Sequence, residues 1–271
     1  MTISEWLKDV SDELADAMVP TARLDAEIIL AHTLGKPRTW LHAHGDEDMD
    51  ARKRDIADAR IELRLERVPV AYIIGHKEFY GRRFFVSPDT LIPRPESEAM
   101  IDALQELIKS NPVEPALLVD VGTGSGCLGI TAKLLHPELR VTLTDTSKRA
   151  LAIAEKNAKA HAVDVRLLES NLLDKFPLRA TYILANLPYV DKSWNVSAEL
   201  DAEPALALYA DDGGLALIKQ LIEQAPDKLE AGGYLLLEAD PVQHQAIIDY
   251  AKSHELSYIR RHDYCVVLRA Q

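Results

Sequence analysis

The segment VDVGTGSG, residues 119–126, decides the fold, because it joins an apolar run to a helix-like stretch. Gly122, Gly124 and Gly126 remove side chains where a backbone must turn tightly and approach a ligand closely. The helix that begins there presents free backbone N–H groups. The third glycine lies one residue earlier than in the dinucleotide-binding fingerprint, and many glycine-rich turns bind nothing. The segment therefore predicts a strand, a tight turn and a helix, with ligand binding as one of its possible uses.

Strand-like and helix-like segments alternate on the carboxyl side of this turn. Helical patterns such as LGITAKLLH and KRALAIAEKNAKAH separate most of the strands, and the tail LSYIRRHDYCVVLRA predicts a final hairpin. The candidate strands are ALLVDVG, RVTLTDT, DVRLLES, TYILANL and YLLLEAD. This alternation predicts an α/β fold with a mostly parallel, doubly wound sheet.

Asp145 ends the second candidate strand, about 20 residues beyond the glycines, where an acidic side chain can accept hydrogen bonds from ribose hydroxyls. An aspartate in this position can also be a surface turn or a helix cap. Together with the glycine-rich turn, it favours a cofactor that contains a nucleoside. A dehydrogenase is one alternative that these two features leave open.

Asn186, Leu187, Pro188 and Tyr189 follow the fourth candidate strand, at the sheet edge where ligands bind in open α/β folds. The Asn186 side-chain oxygen and the Leu187 carbonyl can accept the two N–H groups of a substrate amide. Pro188 stiffens the turn, and Tyr189 can stack on the flat amide. The same four residues could simply form a turn. After a glycine-rich turn and an acidic second strand, they favour transfer of a methyl group to a planar nitrogen over hydride transfer.

The first part of the chain predicts helices, with Leu24, Ile28, Ala31 and Leu34 on one face of the second helix and Gly35 as its end. The highly charged stretch 48–67 predicts a helix with a solvated face. Aromatic and β-branched residues then predict a β-hairpin and a connecting loop. The domain boundaries expected from this pattern are 1–67 (helical), 68–98 (hairpin and loop) and 99–271 (sheet domain).

Composition narrows the classes of function. The chain has 271 residues and a formal net charge of −12, whereas nucleic-acid binders usually carry a basic face, so no direct nucleic-acid binding is expected. Apolar runs are too short for a membrane span, and no secretory signal is recognisable. Cys127 and Cys265 form no disulfide or zinc pattern, and the nine histidines are scattered, so we expect a cytoplasmic protein without a metal site.

These motifs resemble the class I methyltransferases that modify nitrogen, whose motif is Asn or Asp, a variable residue, Pro and an aromatic. More narrowly, nearly the whole chain resembles the protein-(glutamine-N5) methyltransferases that act on peptide chain release factors, the PrmC or HemK family. RVPVAYIIGHKEFYGRRFFVSPDTLIPRPESE, Arg67–Glu98, is the most distinctive match; ARLDAEIILAH, EPALALYADDGGL and the strand Gly232–Glu238 match further family segments.

The resemblance implies a Rossmann-like class I methyltransferase domain with a small helical N-terminal domain and a β-hairpin linker. It implies that Asn186 contacts both cofactor and substrate, that Leu187, Pro188 and Tyr189 complete a glutamine pocket, and that Leu172 lies near the adenine. The residues that it assigns to S-adenosyl-L-methionine are Gly122, Thr123, Gly124, Ser125, Gly126, Asp145, Leu172 and Asn186.

The family substrate is the glutamine of a Gly-Gly-Gln motif in a release factor, and the N-terminal domain is thought to help recognise that protein. Four residues depart from the family pattern: Leu187 (usually Pro), Asn171 and Thr181 (usually Asp) and Asp240 (usually Gly). Three alternatives remain open: methylation of glutamine in a ribosomal protein, methylation of adenine in a nucleic acid, and a non-catalytic module that binds the cofactor.

Overall fold

The computed structural model describes residues 1–113, 115–194 and 198–271, and these residues form two compact units. The first unit holds residues 1–76 together with 198–202. The second unit holds the rest of the described chain. Each unit buries a core of its own, so each is described separately.

The first unit is helical. A capping box begins its first helix: the Glu5 backbone N–H donates to Thr2 Oγ1 at 3.2 Å and the Thr2 N–H donates to Glu5 Oε2 at 2.7 Å. The second helix ends at Gly35, whose φ of 69° is left-handed. The helices are α1 (Ile3–Asp16), α2 (Ala22–Leu34), α3 (Arg38–Ala43), α4 (Ala51–Leu65) and α5 (Val70–Ile74).

The predicted apolar face of α2 is confirmed only in part: Ala31 is buried and Leu34 packs against the core of this unit, but Leu24 is 40% exposed while Ile29 and Leu30 are fully buried. Two carboxylates lie on the buried side of α2. A buried carboxylate needs a partner, and Arg64 of α4, which is 1% exposed, binds Asp25 through its Nε at 2.7 Å. The solvated face predicted for the charged segment 48–67 therefore excludes Arg64, which also pairs with Glu199.

The predicted hairpin is shorter than the aromatic and β-branched pattern suggested. Its strands are β1 (His76–Phe79) and β2 (Arg82–Phe85), joined through two residues of positive φ, Tyr80 and Gly81. The start of the predicted hairpin segment is helical instead: Val70 and Ile73 of α5, one helical turn apart, pack against the core of the first unit.

The second unit is built on a seven-stranded sheet of order β5-β4-β3-β6-β7-β9-β8. Strands β3 to β7 run parallel, β9 pairs antiparallel with β7, and β8 and β9 form the predicted final hairpin. The strands are β3 (Leu117–Val121), β4 (Arg140–Asp145), β5 (Arg166–Glu169), β6 (Ala180–Ala185), β7 (Leu229–Glu238), β8 (Leu256–His262) and β9 (Cys265–Ala270). The helices are α6 (Glu98–Ser110), α7 (Cys127–Leu135), α8 (Lys148–Ala160), α9 (Ala205–Leu208), α10 (Ala216–Lys228) and α11 (His244–Lys252).

Apolar side chains cover both faces of this sheet, as expected for parallel strands that carry helices on each side. From β3 the chain proceeds to β4 and β5 on one side, and it returns to β6 on the other side of β3. The carboxyl ends of β3 and β6 therefore meet at the switch point of the sheet, where open α/β folds bind ligands. This topology places the glycine-rich turn beside Asn186.

Candidate functional site

The turn after β3 depends on glycine for two different reasons. Gly122, Gly124 and Gly126 have φ values of 68°, 53° and 83°, which other residues adopt at a cost. A Cβ on Gly122 would lie 2.9 Å from Leu187 Cδ2, and a Cβ on Gly126 would lie 2.8 Å from Ile130 Cδ1. Gly122 thus allows the turn to approach the Asn186–Tyr189 motif, and Gly126 allows α7 to pack.

Asp145 fixes the shape of this turn. Its Oδ2 accepts the Gly124 N–H at 3.0 Å and its Oδ1 accepts the Ser147 N–H at 2.8 Å. Burial raises the pKa of Asp145, and these backbone donors partly offset the rise. Each carboxylate oxygen can accept a second hydrogen bond. Asp145 can therefore order the turn and still accept ligand hydroxyls.

One continuous pocket of about 460 Å³ lies at the carboxyl edge of the sheet. Most of the site residues expected from the sequence line it: Gly122, Thr123, Gly124, Ser125, Asp145, Leu172, Asn186, Leu187 and Pro188. Gly126 and Tyr189 do not line it. Leu172 is 6% exposed and has a φ of 46°, a strained conformation for a leucine that is common at ligand sites.

The Asn186 amide has a defined orientation. Its Nδ2 donates to Ser97 Oγ at 3.0 Å, and no described residue donates to its Oδ1. Leu187 is 4% exposed and its side chain packs toward Gly122. The Asn186 Oδ1 atom is therefore an acceptor at the pocket surface.

Tyr189 lies behind the pocket rather than on its wall. Its hydroxyl donates to Glu238 Oε1 at 3.3 Å, and burial together with the Glu238 charge raises its pKa. The Gln243 amide donates to the backbone carbonyls of Tyr189 and Gly213, both at 2.8 Å. A Cβ on Gly214 would lie 1.9 Å from the Tyr189 carbonyl oxygen, so glycine is required there. These contacts fix the position of Tyr189, the last residue of the Asn186–Tyr189 motif.

Sequence reasoning missed two buried carboxyl groups. Asp120 lies inside the quoted segment; it accepts from Thr123 Oγ1 at 2.6 Å and from the Gly129 N–H at 3.0 Å, and burial raises its pKa to about 6. Glu238 is 1% exposed, and burial raises its pKa to about 7. Both residues lie near the carboxyl end of a strand, where ligands bind in open α/β folds, and this position could have marked them as candidates from the sequence.

The loop after the motif forms one rim of the pocket. Glu203 is buried; its Oε2 accepts the Ile92 N–H at 3.0 Å and its Oε1 pairs with Arg94. These contacts tie α9 to the proline-rich segment that follows the hairpin. Leu206, which α9 places at the pocket, is 91% exposed. An apolar side chain so exposed beside a pocket is suited to contact a substrate.

Three of the four departures from the family pattern make local hydrogen bonds. Thr181 Oγ1 accepts the Leu117 N–H at 3.2 Å and donates to Glu230. Asn171 lines the pocket, and its Nδ2 donates to Asp174 Oδ2 at 3.3 Å. Asp240 Oδ1 accepts the Val242 N–H at 3.0 Å, and Asp240 does not have a positive φ, so its backbone does not require glycine.

Within the described ranges, no group of three His, Cys, Asp or Glu side chains could hold a metal ion. No helix in the part of the chain that the structure describes is both long and apolar enough to cross a bilayer.

Comparison with protein families gives two matches that together span most of the chain. The family described as PrmC N-terminal domain matches residues 5–75, and the methyltransferase small domain matches residues 97–247. Among curated proteins, the release factor glutamine methyltransferase of Koribacter versatilis is 36% identical and covers 92% of both chains. The proteins of the same name from Salmonella typhimurium and Escherichia coli are 35% and 32% identical, each over 91% of this chain and 89% of its own length.

Solved structures show the same fold at low sequence identity. A methyltransferase from Pyrococcus furiosus superposes with a TM-score of 0.52 at 18% identity, covering 78% of this chain and 95% of its own. A 16S rRNA N2 G1207 methyltransferase from T. thermophilus, solved with AdoMet and guanosine, superposes with a TM-score of 0.54 at 17% identity, covering 72% of this chain and 49% of its own. The predicted class I methyltransferase fold, with a mostly parallel sheet and a helical N-terminal unit, is confirmed.

Proposed function

Because this chain belongs to the family of release factor glutamine methyltransferases, we propose that it transfers a methyl group from S-adenosyl-L-methionine to the side-chain nitrogen of a release factor glutamine. The observation that carries the proposal is the Asn186 amide, whose Nδ2 is held by Ser97 so that Oδ1 is left to accept a substrate N–H. The two free cysteines fit a reducing compartment such as the cytoplasm.

The pocket residues fit the proposed cofactor. Gly124 has open space where a Cβ would lie and leaves room for close approach to the backbone, Asp145 offers acceptors for ribose hydroxyls, and Leu172 supplies an apolar surface for an adenine ring. Gly126 contributes by allowing helix packing rather than by contact with the cofactor. When bound, the cofactor supplies an electrophilic methyl group on a positively charged sulfur.

The chain's own residues select and orient the amide. An amide nitrogen is a poor nucleophile, since its lone pair is delocalised into the carbonyl, and it must be held at near-attack distance. The Asn186 Oδ1 and the Leu187 carbonyl can accept both N–H groups of the substrate, which selects the NH2 end over the oxygen end. These acceptors also stabilise the positive charge that develops on nitrogen. The proton can leave after methyl transfer, so we assign no general base.

The proposal is tested by incubating the purified protein with labelled S-adenosyl-L-methionine and a release factor, followed by mass mapping. We expect one methyl group on the glutamine of the Gly-Gly-Gln motif. A matched release factor with that glutamine changed to asparagine should accept no label. Label on a ribosomal protein or on nucleic acid, but not on the release factor, would overturn the assignment of the substrate. Cofactor binding without transfer to any acceptor would overturn the assignment of an activity.

A further inference from the structure

Ser97 stands at a helix start but does not serve the helix. It is the last residue of a short 3-10 helix, Pro95–Ser97, that runs directly into α6, whereas a serine that caps a helix has a non-helical backbone and accepts a hydrogen bond from an N–H of the first turn. Its side chain makes no such bond, and it accepts the Asn186 Nδ2 proton at 3.0 Å instead. Ser97 is 2% exposed, so its hydroxyl is withdrawn from solvent. The Ser97 hydroxyl is thus engaged with the candidate catalytic amide rather than with the helix.

A neighbouring carboxyl group fixes the direction of this hydrogen bond. Ala185 pairs with Leu237 across β6 and β7, so the next residues along the two strands, Asn186 and Glu238, lie side by side. Burial raises the pKa of Glu238, and interactions with the hydroxyls of Ser97 and Tyr189 and with the Asn186 amide lower it in part. Above its raised pKa, Glu238 is a carboxylate that only accepts hydrogen bonds, and it then favours a Ser97 proton that points toward it. The Ser97 oxygen then accepts, and the Asn186 NH2 group must be the donor.

We propose that Ser97 is a positioning residue that makes the site selective for an amide over a carboxylate, because it keeps the Asn186 Oδ1 facing the substrate. This inference rests on the proposed function. If the Asn186 amide rotated by half a turn, its NH2 group would face the pocket. That group would repel a substrate NH2 and would bind a carbonyl oxygen or a glutamate carboxylate.

The test uses the full-length protein with Ser97→Ala and Ser97→Thr. Ser97→Thr keeps the hydroxyl and is the matched control. We expect Ser97→Ala to lower single-turnover methylation of the release factor by about 5- to 30-fold, the effect of one or two kcal/mol. Affinity for S-adenosyl-L-methionine, measured by calorimetry, should change by less than about twofold, since Ser97 orients a substrate acceptor. If Ser97→Ala does not fold, Ser97→Cys replaces it, because sulfur is a weak acceptor.

Selectivity provides the readout that a purely structural role would not change. A release factor with glutamate in place of the glutamine serves as competitor, and its inhibition constant is compared with the KM of the normal substrate. Ser97→Ala should bind the glutamate competitor more tightly relative to substrate, and Ser97→Thr should not. In an Asn186→Asp background, whose two oxygens are equivalent, Ser97→Ala should have less than about a twofold effect on turnover.

The outcomes separate the two proposals. An active wild type whose Ser97→Ala variant loses turnover without any change in the glutamate-to-glutamine ratio, or keeps full turnover, overturns the positioning role alone. An equal loss in the Asn186→Asp background overturns it as well. A wild type that methylates no release factor glutamine overturns the proposed function, and the role of Ser97 fails with it.

Discussion

At the scale of single residues, Asn186 should matter more for turnover than for cofactor affinity. Its Oδ1 is an oriented acceptor, and its interaction with the substrate amide strengthens as positive charge develops on nitrogen. We expect Asn186→Ala to lower single-turnover methylation by about 100-fold or more, as is typical when one preorganised hydrogen-bonding group is removed. Asn186→Asp keeps an acceptor and should be milder. Near-normal turnover of Asn186→Ala would show that Asn186 only forms the turn and does not act in catalysis.

Asp145 should contribute directly to cofactor affinity. Its oxygens hold the Gly124 and Ser147 N–H groups and keep capacity for ribose hydroxyls. Asp145→Ala should weaken binding of S-adenosyl-L-methionine by about 1.5–3 kcal/mol, which titration calorimetry measures. Asp145→Asn, which preserves the shape and one acceptor, is the matched control and should lose less. Unchanged affinity in a folded alanine variant would contradict the assignment.

Glu238 should make the protein less stable as the pH rises. Burial raises its folded pKa from 4.5 to about 7, so the folded state retains a proton that the unfolded chain releases between these values. The contribution of Glu238 to stability is therefore complete below about pH 4.5 and is lost as the pH rises through about 7. We expect Glu238→Gln to flatten this part of the curve of unfolding free energy against pH, measured by urea titration. The prediction fails if the variant and the wild type keep the same slope.

The residues that could be predicted at this scale are those that share a motif. Gly122, Asp145 and Asn186 stand out because each lies at the carboxyl end of a strand and each belongs to a recognisable pattern. Ser97 and Glu238 are 141 positions apart and lie in two separate segments that resemble the family, and only the pairing of β6 with β7 brings Glu238 beside Asn186. Local sequence patterns cannot predict such contacts, because the contacts depend on the order of strands that are far apart in the chain.

At the scale of elements, Asn157 of α8 joins the hairpin to the glycine-rich turn. It is fully buried; its Nδ2 donates to the carbonyls of Phe85 and Ser125, and its Oδ1 accepts the Phe85 N–H at 2.7 Å. We expect Asn157→Ala to destabilise the fold by about 3 kcal/mol, since it leaves buried backbone groups unpaired. Urea unfolding measures this loss. Lys159→Ala, on the exposed side of the same helix, should cost less than about 0.5 kcal/mol. Equal stability of the two variants would contradict this role for Asn157.

The sheet was more predictable than the helices of the first unit. The run that forms β6 is apolar apart from Thr181 and is buried at every position, as expected for a parallel strand that helices cover on both faces. The face of α2 could be predicted only in part, because Asp25 becomes buried only when Arg64, 39 residues later, pairs with it. The helix α5 was missed because five residues are too short to show a helical period.

At the scale of the whole molecule, the two compact units have separate apolar cores. Every residue that lines the candidate pocket belongs to the second unit, between Pro88 and Leu217. The chemistry of the site therefore depends on the sheet unit. We propose that the helical unit recognises the release factor, so that its contribution appears only with a whole protein substrate.

A truncated chain that begins at Lys77 tests this division. It should bind S-adenosyl-L-methionine with nearly normal affinity and should methylate a short Gly-Gly-Gln peptide as the full chain does. Its kcat/KM on an intact release factor should fall about tenfold or more, because remote contacts orient the reacting group. Glu199, which pairs with Arg64, is changed to Gln in the truncated chain so that no unpaired charge remains. Full activity on the intact release factor would show that the sheet unit recognises the substrate by itself.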